Sequence, residues 1–144
     1  MAYITQSSLA AGLVAIGETA IANEDDAALR AYFAPGYVLH LPGADIDFPT
    51  LRAYFASLRA SFDHLAVRRA LIVGEGRYLA ARTLFSGTFA HAFTHATAGV
   101  LQPTGQYIEW ELLNIFRYDD NDRLAEEWVQ SDSRIFLQKL GHSP

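Results

Sequence analysis

Apolar side chains recur at helical spacing in the first half of this chain and at strand spacing in the second. Leu9, Leu13, Ile16 and Ala20 form one stripe, which predicts a helix over residues 5–23. Asn23-Glu24-Asp25-Asp26 follows as a turn whose side-chain oxygens suit a helix N-cap, and a second short helix is expected over 27–33, stopped by Pro35-Gly36. Residues 37–41 alternate as a short strand, and Pro42-Gly43-Ala44-Asp45 reads as a loop. A third helix over 50–62 buries Leu51, Tyr54, Phe55 and Leu58, turns Arg52 and Arg59 to water, and has Asp47 or Thr50 as its cap. Strand patterns then run over 67–73, 78–89, 106–118 and 123–132, with turns at Gly74-Glu75-Gly76-Arg77 and Asp119-Asp120-Asn121-Asp122. A loop over 90–102 carries His91 and His95, and an amphipathic helix over 133–140, capped by Asp132, closes the pattern.

Helices gathered first and strands later imply an α+β fold, with helices on one face of a bent antiparallel sheet. The other face meets water or a second subunit. Glu109, Glu111 and Arg117 share one strand phase there, within reach of Arg82 on the neighbouring strand. No repeat, linker or low-complexity tract divides the 144 residues, so one domain over 1–144 is expected.

Composition narrows the function classes. A net charge of −5, with scattered arginines and Lys139 as the one lysine, offers no cationic stripe for nucleic acid. The absence of cysteine excludes disulfides, thiol catalysis and cysteine-ligated zinc. The apolar stretch 9–16, broken by Gly12 and Gly17, is too short to span a membrane, and no basic leader precedes it. A cytoplasmic protein with no membrane partner is therefore the expectation. Phosphate-cradling glycine loops and serine elbows are missing.

Five sequence features occur together in order: Tyr32-Phe33-Ala34-Pro35-Gly36-Tyr37-Val38, the helix end Phe55…Phe62-Asp63, Phe85-Ser86-Gly87-Thr88, Pro103-Thr104-Gly105, and Glu126-Glu127-Trp128…Asp132 running into Gln138-Lys139-Leu140-Gly141. In this the chain resembles the SnoaL-like branch of the nuclear transport factor 2-like superfamily, which includes polyketide cyclases and ketosteroid isomerases. The resemblance implies a cone-shaped sheet wrapped around N-terminal helices, often dimeric through the sheet. It implies cofactor-free proton transfer on an apolar carbonyl or aromatic compound, polyketide- or steroid-like. The family's pattern is also broken here: the cyclase aspartate falls at Val129, and the Gly-x-His strand end is Gly87-Thr88-Phe89. The position of a cyclase pocket histidine, or of the isomerase's oxyanion acid, becomes Asn114, and the isomerase base falls at or beside His40.

The candidate catalytic residues are thus His40 as base, Asn114 as oxyanion donor and Glu127 as acid. Glu127 shares a strand phase with Ala125, Val129 and Ser131; on a pocket face desolvation would raise its pKa, whereas a one-residue bulge would turn it to water. Tyr32, Tyr54, Phe89, His91, Trp110, Leu112 and Val129 are the candidate substrate contacts. His91 and His95, four apart, lack a third ligand at supportive spacing, so no metal and no cofactor is expected. The alternative to an enzyme is a non-catalytic ligand-binding or assembly module. An open hollow where His40 and Asn114 converge distinguishes the first from a packed cone.

Overall fold

The computed structural model describes residues 3–96 and 98–142. The Ser7 side chain accepts from the Ala10 amide and so starts α1 (Ser8–Ile16), which continues through a π-helical turn (Gly17–Ile21). Asp25 caps α2 (Asp26–Tyr32) in the same way, and Asp47 caps α3 (Phe48–Ser61) through the Thr50 amide. The buried residues Leu13, Ile16, Leu29, Leu51, Phe55 and Leu58 make one apolar surface from these three helices.

Among the described residues seven strands form one sheet: β1 (Tyr3–Ile4), β2 (Phe33–Leu41), β3 (Ala44–Asp47), β4 (Phe62–Glu75), β5 (Tyr78–Phe89), β6 (Tyr107–Tyr118) and β7 (Leu124–Ser131). Their order is β1-β4-β5-β6-β7-β2-β3. The sheet curls around the helices without closing, and β1–β4 and β2–β7 are parallel pairs in an otherwise antiparallel ladder. The α4 helix (Ser133–Lys139) leaves the end of β7, capped by Asp132 as the sequence pattern predicts.

Three departures from the sequence pattern matter for the site. Pro35-Gly36 does not end a helix; it lies inside β2, where the pairing with β7 slips between Phe33 and Val38. A bulge carries an unpaired backbone position, which is where a proline is tolerated in a strand. The expected loop after residue 41 is a tight turn, Pro42 then Gly43 at φ 83°, the type II signature, and it returns the chain as β3. Strand β4 is twice the expected length because bulges keep it paired: its register with β5 shifts between Asp63 and Ala66 and again between Arg69 and Leu71. The first shift holds His64 at φ 56°.

At that first bulge β4 and β5 pack too closely to admit a side chain on β5. A Cβ on Gly87 would stand 3.0 Å from the Phe62 Cβ and 3.2 Å from the Asp63 carbonyl oxygen. Gly87→Ala is expected to destabilise the fold by about 1–3 kcal/mol through this overpacking. Urea denaturation checks it: the midpoint falls while the slope stays at its wild-type value.

Candidate functional site

Alternation along the strands decides which polar groups enter the cone. On β7, Glu127 and Val129 point inward, opposite Phe116 and Asn114 of β6. On β5 the inward set is Leu79, Ala81, Thr83 and Phe85. On β4 the bulge at residue 70 lets Val67, Arg69 and Ile72 all face in. The result is a group of buried polar side chains, Arg69, Thr83, Asn114 and Glu127, inside an apolar wall.

These side chains form one continuous chain across five strands. Arg69 Nη1 donates to Thr83 Oγ1 at 2.9 Å, and Thr83 Oγ1 donates to Asn114 Oδ1 at 2.8 Å. Asn114 Nδ2 donates to Glu127 Oε2 at 3.1 Å, and the Tyr37 hydroxyl of β2 donates to Glu127 Oε1 at 2.8 Å. Beside them the hydroxyls of Tyr32 and Tyr118 bond to each other. Among the described residues no buried side-chain nitrogen or oxygen lacks a partner. Burial pushes the Glu127 carboxyl above the usual carboxylate range, against the pull of the Tyr37 hydroxyl, the Arg69 charge and the Asn114 amide. Burial likewise raises Tyr32 and Tyr37, so both stay neutral.

A cleft of about 740 Å³ opens where α4 leaves β7, lined by Tyr54, Trp110, Leu112, Ser131 and Phe136 among others. Its apolar wall is an aromatic cluster: Trp110 packs on Phe136 at 4.7 Å between centroids, Phe93 meets Phe136 edge-on at 5.9 Å, and Tyr54 meets Phe93 at 6.3 Å. The Tyr54 hydroxyl, pushed up to about 12 by burial, makes no hydrogen bond among the described residues. Asn114 is the next inward position after Leu112 on β6, about 7 Å along the strand.

His40 is elsewhere. It pairs with Trp128, stacks on that indole at 5.2 Å, and lies on the outer face of the sheet, the side opposite Asn114 and Glu127. Its Nδ1 meets Asp45 at 2.8 Å and its Nε2 meets Glu126 at 2.6 Å, and Glu126 is also held by Arg117 at 3.0 Å. Glu126 first, then Asp45, hold the imidazole above its usual range, and His40 in turn lowers Glu126. The expected meeting of His40 with Asn114 does not occur, because adjacent inward and outward phases of β2 and β7 separate them. Glu127 faces in, not to water as a bulge would have turned it.

Of the expected contacts, Tyr54, Trp110 and Leu112 line the cleft. Val129 is buried beside Asn114, and the half-buried Tyr32 bonds to the buried Tyr118. Phe89 is fully buried against Phe62, and the exposed His91 lies 3.4 Å from Asp63. Arg69, Thr83 and Tyr37 were missed as site residues; the available signal was their phase, since Arg69 follows Val67 at strand spacing and Thr83 lies between Ala81 and Phe85.

A sequence profile of the SnoaL-like polyketide cyclases matches residues 14–140. The chain belongs to that family. Solved structures agree on the fold. IdmH from Streptomyces antibioticus, described as a proposed polyketide cyclase, is 26% identical with a TM-score of 0.77, over 94% of this chain and 100% of its own. AclR from Streptomyces galilaeus, described as a proposed hydroxylase, is 21% identical at TM-score 0.75, over 94% and 95%. A proposed SnoaL-like polyketide cyclase from Jannaschia sp. CCS1 is 16% identical at TM-score 0.77, over 94% and 93%. No curated sequence matches the chain significantly. No helix among the described residues is long and apolar enough to cross a membrane.

The raised Glu127 carboxyl makes a signed prediction. The unfolded chain releases this proton near 4.5, whereas the folded chain holds it to higher pH. The contribution of Glu127 to stability therefore falls as pH rises above about 4.5, by about 1.4 kcal/mol for each unit of displacement. His40, raised when folded, also loses its contribution as pH rises through its folded value. The wild type minus Glu127→Gln difference isolates the first effect: urea-derived stabilities from pH 4 to 8 should show a steeper fall in the wild type.

Proposed function

We propose that this SnoaL-like protein is a cofactor-free cyclase or isomerase, acting by proton transfer on an apolar carbonyl or aromatic compound of polyketide- or steroid-like skeleton. The observation that carries this reading is the buried, raised carboxyl of Glu127 on an inward wall that continues to a cleft. A buried carboxyl whose proton is held more tightly than usual, beside hydrogen-bond donors, is suited to proton exchange. Asn114 has a second Nδ2–H beyond the one given to Glu127, and Tyr54 has its hydroxyl.

In this reading the substrate lies in the cleft with its carbonyl oxygen toward Asn114 and Tyr54. Glu127 takes a proton from the carbon beside the carbonyl, and the enolate oxygen rests on the two donors. Returning the proton at another carbon isomerises the compound. Attack of the enolate carbon on a second carbonyl closes a ring, and the proton then passes to the new alkoxide. The base contributes on the order of 10²–10⁴ in rate and one oxyanion donor on the order of 10²–10³. The family membership and the likeness to IdmH support the substrate class.

The test is turnover, followed by absorbance and by loss of the α-proton in D₂O, on aromatic β-keto esters and unsaturated steroid ketones. Glu127→Gln is expected to lower kcat by about 10²–10⁴ and Asn114→Leu by about 10²–10³, while His40→Ala leaves it within a few-fold. Full turnover in Glu127→Gln overturns the assignment. A non-catalytic binding module is the second reading, favoured by the self-satisfied interior network. Tight binding of these compounds with no proton exchange would establish it.

We also propose that two copies pair through the outer sheet face. There Leu71, Val73, Leu113 and Ile115 are 39%, 44%, 55% and 48% exposed, next to the Arg82–Glu111 ion pair. Sedimentation at micromolar concentration should give a dimer, and Leu113→Asp with Ile115→Asp should give a monomer that keeps the fold.

A further inference from the structure

Arg69 has no part in that chemistry, yet it is a cation buried inside the cone. Its guanidinium is fixed from two sides: Nε donates to the Leu13 carbonyl of α1 at 3.4 Å, and the group lies over the Phe116 ring at 5.6 Å. The polar side chain it meets is a hydroxyl, Thr83 Oγ1. A guanidinium only donates, and a hydroxyl has a single proton. Thr83 must therefore accept from Arg69, which leaves its proton for Asn114 Oδ1 at 2.8 Å. With its carbonyl oxygen committed to Thr83, the Asn114 amide can only turn its NH₂ on Glu127.

We infer that Arg69 is a positioning residue: acting through Thr83, it sets the direction of the hydrogen-bond chain and locks the Asn114 amide with its NH₂ facing Glu127. The inference rests on Glu127 being the proton carrier proposed above. A flipped amide would set two acceptor oxygens against each other, an arrangement only a protonated Glu127 tolerates. The chain thus keeps the ionised acid accessible where loss of water opposes it. The other groups that bear on Glu127 are Tyr37 from β2, Tyr32 from α2 and Tyr118 from β6; all three are phenols and carry no charge at neutral pH. Arg69 is the one cation among these groups, and its charge acts in the same direction as the amide it orients.

The test is a ¹³C NMR titration of the Glu127 carboxyl in the whole protein, with Thr83→Val, Thr83→Ser and Arg69→Met beside the wild type. Thr83→Val keeps shape and removes the hydroxyl, so the Glu127 midpoint is expected to rise by about one unit or more. Thr83→Ser restores the hydroxyl and is expected to return the midpoint to its wild-type value. Arg69→Met is expected to raise it at least as far as Thr83→Val. In the wild type itself, the Asn114 side-chain NH₂ resonances should follow the Glu127 titration, a measurement that needs no variant to fold. A Glu127 midpoint unchanged in Thr83→Val, or wild-type Asn114 resonances that ignore the titration, would overturn the inference. The titration is independent of turnover. A shifted midpoint in Thr83→Val together with full activity in Glu127→Gln would support the hydrogen-bond chain and remove only the catalytic assignment.

Discussion

An arginine and a glutamate share the interior of one small apolar cone, and much of the arrangement follows from keeping both there. Desolvating an ion costs several kcal/mol even after relaxation, so a buried charge persists only with partners that occupy its hydrogen-bonding capacity. Arg69 and Glu127 face inward from different strands, with β5 and β6 between them. Thr83 and Asn114 fill that interval, each a diagonal or direct neighbour of the next on the sheet. Tyr37 reaches Glu127 from the far side, and it can do so because the slip in β2 around Pro35-Gly36 resets the strand beside β7. The bulges that curl the sheet and the hydrogen bonds that satisfy its interior are therefore one design. Without the irregularity at residue 70, Arg69 and Ile72 would not share a face.

Glu126 and Glu127 show how much a single step of register decides. They are neighbours of the same residue type. Glu126 faces out, bonds to His40 and Arg117 and is held below the usual range. Glu127 faces in, and loss of water outweighs its three helpers and raises it. Period-two alternation makes one a surface ion-pair partner and the other a buried acid. The same alternation removes His40 from the interior. With carboxylates on both ring nitrogens, it fits an imidazolium that ties β2 and β3 to β7.

Much of the fold was legible in the sequence because its elements carry local signals. Strand 78–89 is found at the predicted bounds, α4 begins at the predicted Asp132 cap, and Arg82 meets Glu111 on the predicted face. The failures lie where tertiary pairing overrides local chemistry. Pro35-Gly36 reads as a stop, yet the neighbouring strand accommodates it as a bulge. Residues 44–47 are a short stretch with two aspartates after Pro42-Gly43, and become a strand because β2 offers an edge. The site was half legible for the same reason. Asn114 lay on an unambiguous apolar phase. The phase of Glu127 depended on the absence of a bulge that pattern alone does not reveal, and Arg69 gave a surface-like composition signal despite its inward phase.

The position of the cleft relative to the acid constrains any chemistry in it. Inward positions on β6 run Trp110, Leu112, Asn114, Phe116, and only the first two line the cleft. On β7 the same descent passes Ser131 and Val129 before it reaches Glu127. A ligand moving inward past Leu112 thus meets the Asn114 amide before the carboxyl, about 7 Å per two residues along the strand. The donor that would hold an oxygen is nearer the mouth, and the acid lies one inward position behind it, both buried. In the proposed reaction that ordering suits a compound whose carbonyl leads and whose bulk stays among Tyr54, Trp110 and Phe136. Proton transfer would then take place among buried groups, where the electrostatic effect of each donor is strengthened. Val129 pairs directly with Asn114, and Glu127 stands one inward position beyond it on the same strand and the same face, so a small apolar side chain is what separates the level of the amide from that of the acid.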